Sequence, residues 1–188
     1  MRKIKLQVRI TIDGFVSAPN GEEDWDLMPD PEVWELVNEL PDSSDTLLLG
    51  RKMAENFIPH FESFEAENPR YAFAQKMVNI PKVIFSKTLD QPFGKNTKLA
   101  KGKLTDEIAN LKNQTGKDIL VYGGASFVSA LIAGGHIDEF YFLVIPEMRF
   151  EGIRIFDLLE KRQKLTLLEA KPFENGISLL HYQLKKDI

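Results

Sequence analysis

The sequence contains no cysteine, and that one absence removes disulfides, thiolate nucleophiles, iron–sulfur clusters and cysteine-ligated zinc together. Histidine is nearly as scarce. His60, His136 and His181 have no neighbouring histidine at helical or alternating spacing, so no metal site is expected. Basic residues number 24 against 28 acidic, a net charge of −4, whereas a general nucleic-acid binder needs a strongly basic face. No apolar run approaches the roughly 20 residues of a membrane span. The first residues, Met1 to Val8, alternate charge with apolarity and form no signal-peptide core. Neither a nucleic-acid nor a membrane partner is expected, and the expected location is cytoplasmic. Repeats, low-complexity stretches and linkers are missing too, so the 188 residues read as a single domain, 1–188. Three motifs are also absent: Gly-x-Gly-x-x-Gly after the first strand, the P-loop, and a Gly-x-Ser-x-Gly elbow around Ser126.

What is present is an alternation of strand and helix patterns. Ile4, Leu6, Val8, Ile10 and Ile12 recur at period two and predict a strand with one face on the core. Asp13-Gly14 stops it, and a polar loop follows. From Pro31 the apolar residues Val33, Leu36, Val37 and Leu40 take helical spacing, with Asp30 or Pro31 as starting residue and Pro41 as the stop. Thr46 to Gly50 is apolar on both faces, the mark of a central parallel strand, and opens onto a helix from Arg51. The unit recurs at Lys82 to Ser86 and at Asp118 to Tyr122, each after a helical stretch. Ile137 to Pro146, Lys164 to Phe173 and Ile177 to Lys185 read as further strands, the last two joined by a Glu174-Asn175-Gly176 hairpin turn. The fold class is therefore α/β, a mostly parallel sheet with crossover helices that antiparallel strands complete at the C-terminus.

Open parallel sheets bind ligands beyond the carboxyl ends of their strands, and three polar segments stand at such ends. Gly123-Gly124 separates a strand from a helix and allows an anion close to the free N–H groups of the helix start. As a lone pair of glycines it reads equally well as a plain tight turn. Arg51 and Lys52 oppose the dipole at a helix start, a cost that a bound anion would offset, although either alone reads as surface charge. Ser86-Lys87-Thr88 repeats the theme with two hydroxyls and a cation, residue types that ordinary loops also use. A fourth segment, from Asp13-Gly14 to Trp25, has the carboxylate, ring and Gly/Pro/Asn loop that a substrate cover needs, although taken alone it reads as a long surface loop with a buried tryptophan.

The order of these motifs resembles the dihydrofolate reductase-like superfamily, over about Ile4 to Lys185. Within it the chain looks most like the C-terminal reductase domain of the bacterial bifunctional riboflavin-biosynthesis deaminase-reductase, as a small stand-alone homologue. The resemblance implies a three-layer αβα fold, NADPH as cofactor and a homodimer. It assigns the cofactor's phosphates to Gly50, Arg51, Lys52, Gly123, Gly124, Ala125 and Ser126, and its adenosine end to Ser86, Lys87 and Thr88. Asp13, Gly14 and Trp25 would border nicotinamide and substrate, with Asp13 the first and Asp30 the second candidate for a catalytic proton donor. Asp26 also lies near the position of the superfamily's catalytic carboxylate. The implied activity is NADPH-dependent hydride transfer to a small polar heterocycle or a sugar-like carbonyl or imine, similar to 5-amino-6-(5-phosphoribosylamino)uracil reductase. Two departures stand out. Met53 replaces the threonine usual after Gly-Arg-x, and Glu147 to Arg154 has one glycine where the riboflavin-pathway enzymes are glycine-rich. They motivate an alternative, a nucleotide-binding or ligand-sensing protein that has kept the fold without turnover.

Overall fold

The computed structural model describes residues 1–25 and 30–185. Strand β1 (Ile4–Thr11) lies inside the sheet, not at its surface. Ile4, Leu6 and Ile10 enter the core on one face, while Gln7 and Thr11 are buried on the other. The expectation of one buried face is thus corrected, because neighbouring strands and helices cover both sides of β1. Ile12 falls beyond the strand and is 64% exposed. After it come β2 (Phe15–Ser17) and helix α1 (Pro31–Asp42). Asp30 caps α1 by accepting from the amides of Glu32 and Val33 at 2.9 and 3.2 Å. Pro41 lies inside the last turn, not past it.

β3 (Ser44–Gly50) carries Leu47, Leu48 and Leu49, all without solvent exposure, as a strand covered on both faces requires. There follow α2 (Arg51–Glu62), α3 (Tyr71–Asn79), β4 (Lys82–Phe85), β5 (Thr97–Ala100) and α4 (Leu104–Asn113). β6 (Asp118–Gly123), α5 (Ala125–Ala133) and β7 (Glu139–Ile145) come next. A short β8 (Ile153–Arg154) pairs with β2, and β9 (Leu165–Pro172) and β10 (Ser178–Leu184) close the chain. The sequence reading missed β2, β5 and β8, which span two to four residues each and have no hydrophobic run.

The eight-stranded sheet has the order β5-β4-β3-β6-β1-β7-β10-β9. From β5 to β7 every pairing is parallel; β10 is antiparallel to both β7 and β9. Gly176 at φ +85° makes the tight turn between β9 and β10, as Asn-Gly foretold. α1, α2 and α3 pack on one face of the sheet, α4 and α5 on the other, giving the expected three-layer αβα fold. Among the described residues no helix is long and apolar enough to cross a membrane.

Candidate functional site

Six parallel strands deliver their carboxyl ends to one edge of the sheet, so the residues after Gly50, Phe85, Ala100 and Gly123 meet there. Between them lies a groove of about 910 Å³. Its wall includes Gly50, Arg51, Lys52, Ser86, Lys87, Thr88, Gly124 and Ser126, eight of the ten residues expected to hold a cofactor. Gly123 and Ala125 are not on that wall. Gly123 has φ +130°, and a side chain there would meet Met53 Cε at 2.9 Å. Met53 therefore fills the space beneath the glycine turn, a packing role that needs no hydroxyl. Ala125 packs into the core beneath α5. Gly50 is required by proximity, since a Cβ would stand 2.8 Å from Cβ of Phe127.

The groove is strongly cationic. Arg51, Lys52, Lys87, Lys101 and Lys103 line it, and among the described residues no carboxylate does, in a chain of net charge −4. The starts of α2 and α5 open onto it with no side-chain cap, which leaves first-turn N–H groups free for an anion. Arg51 is held in place by Glu55 Oε1 and by Thr88 Oγ1, both at 2.7 Å. Ser86 is buried, and its hydroxyl oxygen accepts from the amides of Thr88 and Leu89 at 3.2 and 3.0 Å, which shapes the turn. Stacked Phe85 and Phe127, with ring centroids 4.7 Å apart, supply an apolar floor. Such a wall offers positions for several phosphates and one apolar surface for a flat ring.

A second cavity of about 620 Å³ opens at the same edge, where Trp25, Asp30, Val33, Trp34, Arg9, Arg70 and Ile177 contribute to its lining. Arg70 lies over the Trp34 ring at 4.9 Å, and Arg9 pairs with Glu23 at 3.2 Å. The loop that carries Trp25 is fastened from outside. Arg149 makes a two-pronged pair with Asp24 at 2.7 Å on each arm and lies 5.1 Å over the Trp25 ring.

Comparison with known proteins places the chain in a family. The profile of the RibD C-terminal domain matches residues 2–179. The chain belongs to the RibD C-terminal domain family. It is 30% identical to the uncharacterised protein YyaP of Bacillus subtilis over 185 residues, covering 96% of this chain and 94% of that protein. A second Bacillus subtilis protein, YwjB, also uncharacterised, is 26% identical over 181 residues, covering 96% and 97%. Among solved structures, a putative riboflavin biosynthesis protein from Shewanella sp. PV-4 superposes with a TM-score of 0.77 at 21% identity over 98% of this chain and 99% of that one. The Thermotoga maritima diaminohydroxyphosphoribosylaminopyrimidine deaminase/5-amino-6-(5-phosphoribosylamino)uracil reductase gives 0.70 at 15% identity; the match covers 98% of this chain and 57% of the Thermotoga one. The dihydrofolate reductase-like fold is the one these structures share.

In this RibD-type chain the two carboxylates expected to act on a proton differ in placement. Asp13 lines neither cavity. Its Oδ1 takes the Thr11 hydroxyl at 2.6 Å and its Oδ2 the Arg149 amide at 2.9 Å. The Thr11 hydrogen bond foremost holds its carboxyl below the usual range, so it stays ionised and ties β1 to the 147–152 segment. In this arrangement Asp13 serves as an anchor between the two segments. Asp30 does line the second cavity, but its Oδ1 is engaged as the cap of α1 and its Oδ2 accepts from the Asn175 amide at 3.4 Å. Gly14 makes the turn with φ +93° and faces open space. Asp26 lies outside the described residues. Sequence reasoning missed Lys101 and Lys103, because only β5 brings them to the edge. It missed Arg9, Trp34 and Arg70 because each reads as an ordinary strand or helix-end residue until the sheet collects them.

Proposed function

We propose that this chain is an NADPH-dependent reductase of a small polar heterocycle or a sugar-like carbonyl or imine. The observation that carries the reading is a wall of five cations, with no carboxylate among its described residues, at the uncapped starts of α2, α4 and α5, beside a second cavity lined by two tryptophans. Bound there, the cofactor would supply the hydride. The chain's own part is to hold the phosphates with α2, α5, Arg51 and the lysines, and to seat a flat substrate between Trp25 and Trp34. Fluorescence titration tests it: NADPH should bind at micromolar concentration and NADH more weakly, and absence of binding by either at millimolar concentration would overturn it. One observation favours the second reading, a nucleotide-binding sensor without turnover. Both carboxylate oxygens of Asp13 and of Asp30 already accept hydrogen bonds from the chain's own groups. Steady-state NADPH consumption with any heterocycle decides between the two. A homodimer belongs to the same proposal, supported by β9, an edge strand exposed along most of its length with Leu165, Leu167 and Leu168 each more than one-third exposed.

A further inference from the structure

The segment from Glu147 to Arg154, with one glycine where the riboflavin-pathway enzymes are glycine-rich, contributes no residue to the lining of either cavity. It grips the stretch from Ile12 to Trp25 instead, and does so at both ends. At the base, the Ile12 amide donates to the Glu147 carbonyl at 3.0 Å and the Arg149 amide donates to Asp13 Oδ2 at 2.9 Å. β8 pairs with β2, and Arg154 lies 4.2 Å over the Phe15 ring. The one glycine, Gly152, is required by closeness, because a Cβ there would strike the Ser17 carbonyl oxygen. At the far end, the Arg149 guanidinium takes both oxygens of Asp24 and lies over the Trp25 ring.

Between these ends the loop has little hold of its own. The Ala18 amide donates to the Glu22 carbonyl and the Gly21 amide to the Ala18 carbonyl, bonds that shape a turn without tying it to the sheet. Among the described residues the buried Trp25 indole nitrogen has no hydrogen-bond partner, so the polar edge of the ring opposes its own placement. The Arg9–Glu23 pair is exposed on both sides, and such pairs add little stability. Arg149 differs from Arg9. Its side chain is 19% exposed and its amide is fixed on Asp13, so the planar fork is ordered before it meets Asp24. The Arg149 hydrogen bonds foremost hold the Asp24 carboxyl below its usual range, which keeps the fork charged at neutral pH.

We propose that Arg149 is a positioning residue: anchored by its amide on Asp13, it holds Trp25 in place as a wall of the second cavity through the Asp24 fork and its contact with the ring. A wall fixed from outside loses no further freedom when a molecule enters, and it keeps water from that side. Without the fork, the loop from Ala18 to Trp25 swings away from the cavity while β2, held by β8, stays. The positioning does not rest on the reductase reading; only its value to hydride transfer does.

Trp34→Phe leaves Trp25 as the single tryptophan, read by fluorescence with acrylamide as quencher. In that background Arg149→Met keeps the stem and removes the fork. Asp24→Ala removes the same pair from a half-exposed side chain and serves if Arg149→Met fails to fold. In either variant Trp25 emission should move to longer wavelength with the melting temperature nearly unchanged. Its quenching should rise roughly tenfold, the combined effect of a two-pronged ion pair and a cation–π contact on the closed population. Met148→Ala, an exposed neighbour in the same segment, should leave both readings in place. Fluorine NMR of the 5-fluorotryptophan protein with both tryptophans repeats the measurement: the Trp25 resonance should shift and the Trp34 resonance stay. Unchanged Trp25 emission and quenching in Arg149→Met or Asp24→Ala overturns the proposal. So does an equal change in Met148→Ala, the pattern of a loosened segment without a specific clasp. A Trp25 that responds as stated in a protein without NADPH affinity upholds the clasp and counts against the reductase reading alone. NADPH binding with an unmoved Trp25 does the reverse.

Discussion

Arg51 shows how much a single side chain can be pre-set by its neighbours. Glu55, one helical turn on, and Thr88, from beyond β4, both hold its guanidinium at 2.7 Å on the groove wall. A charge placed so is already ordered when an anion arrives, so little further freedom is lost on binding. Charge-assisted hydrogen bonds contribute roughly 1.5–3 kcal/mol, and about 1.4 kcal/mol is tenfold in affinity. Arg51→Ala should therefore weaken NADPH binding by about ten- to a hundredfold, and NADH binding by less. Parallel titrations of the two cofactors check this; equal losses would make Arg51 a general phosphate holder with no part in cofactor choice. Asp13 teaches the opposite lesson at the same scale. Its place after a strand and before a glycine suits a catalytic acid in sequence, yet the hydrogen bonds from Thr11 and Arg149 keep it ionised. Arg149 is 136 residues away, so no local pattern could have shown that bond.

At the scale of elements, the ends of helices decide more than their interiors. α1 is capped by its own Asp30, a contribution of about 1 kcal/mol. α2 and α5 start on glycines without a side-chain cap, α4 starts on Lys103 likewise uncapped, and all three starts face the groove. The carbonyls of Val78 and Ile80 at the end of α3 accept from the ammonium of Lys82, the buried first residue of β4, at 2.8 Å, and the carbonyl of Lys95 accepts from it at 3.3 Å. Burial draws the pKa of this amine from 10.5 down to about 8. An unfolded chain, with an ordinary lysine, keeps that proton to higher pH than the fold does. Between about pH 8 and 10.5 unfolding thus takes up a proton, and stability rises with pH. Urea midpoints should climb between pH 7.5 and 9.5, and Lys82→Met should flatten the climb. An unchanged slope in the variant would mean that the three carbonyls keep the ammonium charged throughout that range.

Across the whole molecule, one edge of the sheet carries both cavities and the other end is held by ion pairs. Lys3 and Glu139, Lys5 and Asp118, and Lys112 and Asp138 join the amino ends of β1, β6 and β7. The separation leaves the carboxyl edge free for ligands without weakening the sheet. The lateral edge formed by β9 is unpaired and rich in leucine, which is a liability in an isolated chain and an asset in a pair. Light scattering at micromolar concentration should give twice the chain mass for the wild type and once for the Leu167→Lys, Leu168→Lys double variant. A monomeric wild type would remove the homodimer from the proposal.

The sequence by itself determined the layers: period two in β1, the doubly apolar Leu47-Leu48-Leu49, the helical spacing of α1 and the Asn175-Gly176 turn are local signals, because burial periodicity is set residue by residue. It also located Gly50 to Lys52, Ser86 to Thr88 and the glycine turn at 123–124, since strand ends and helix starts are written in adjacent residues. Only the tertiary structure decided the rest. Insertion of β6 between β3 and β1 gathers segments some 35 to 75 residues apart into one cationic wall, and the short β5 adds Lys101 and Lys103 to it. The bond from the Arg149 amide to Asp13, across 136 residues, is decided in the same way. Hydrogen-bond partners so distant in the chain leave no periodicity to read; they exist only once the sheet has chosen its order.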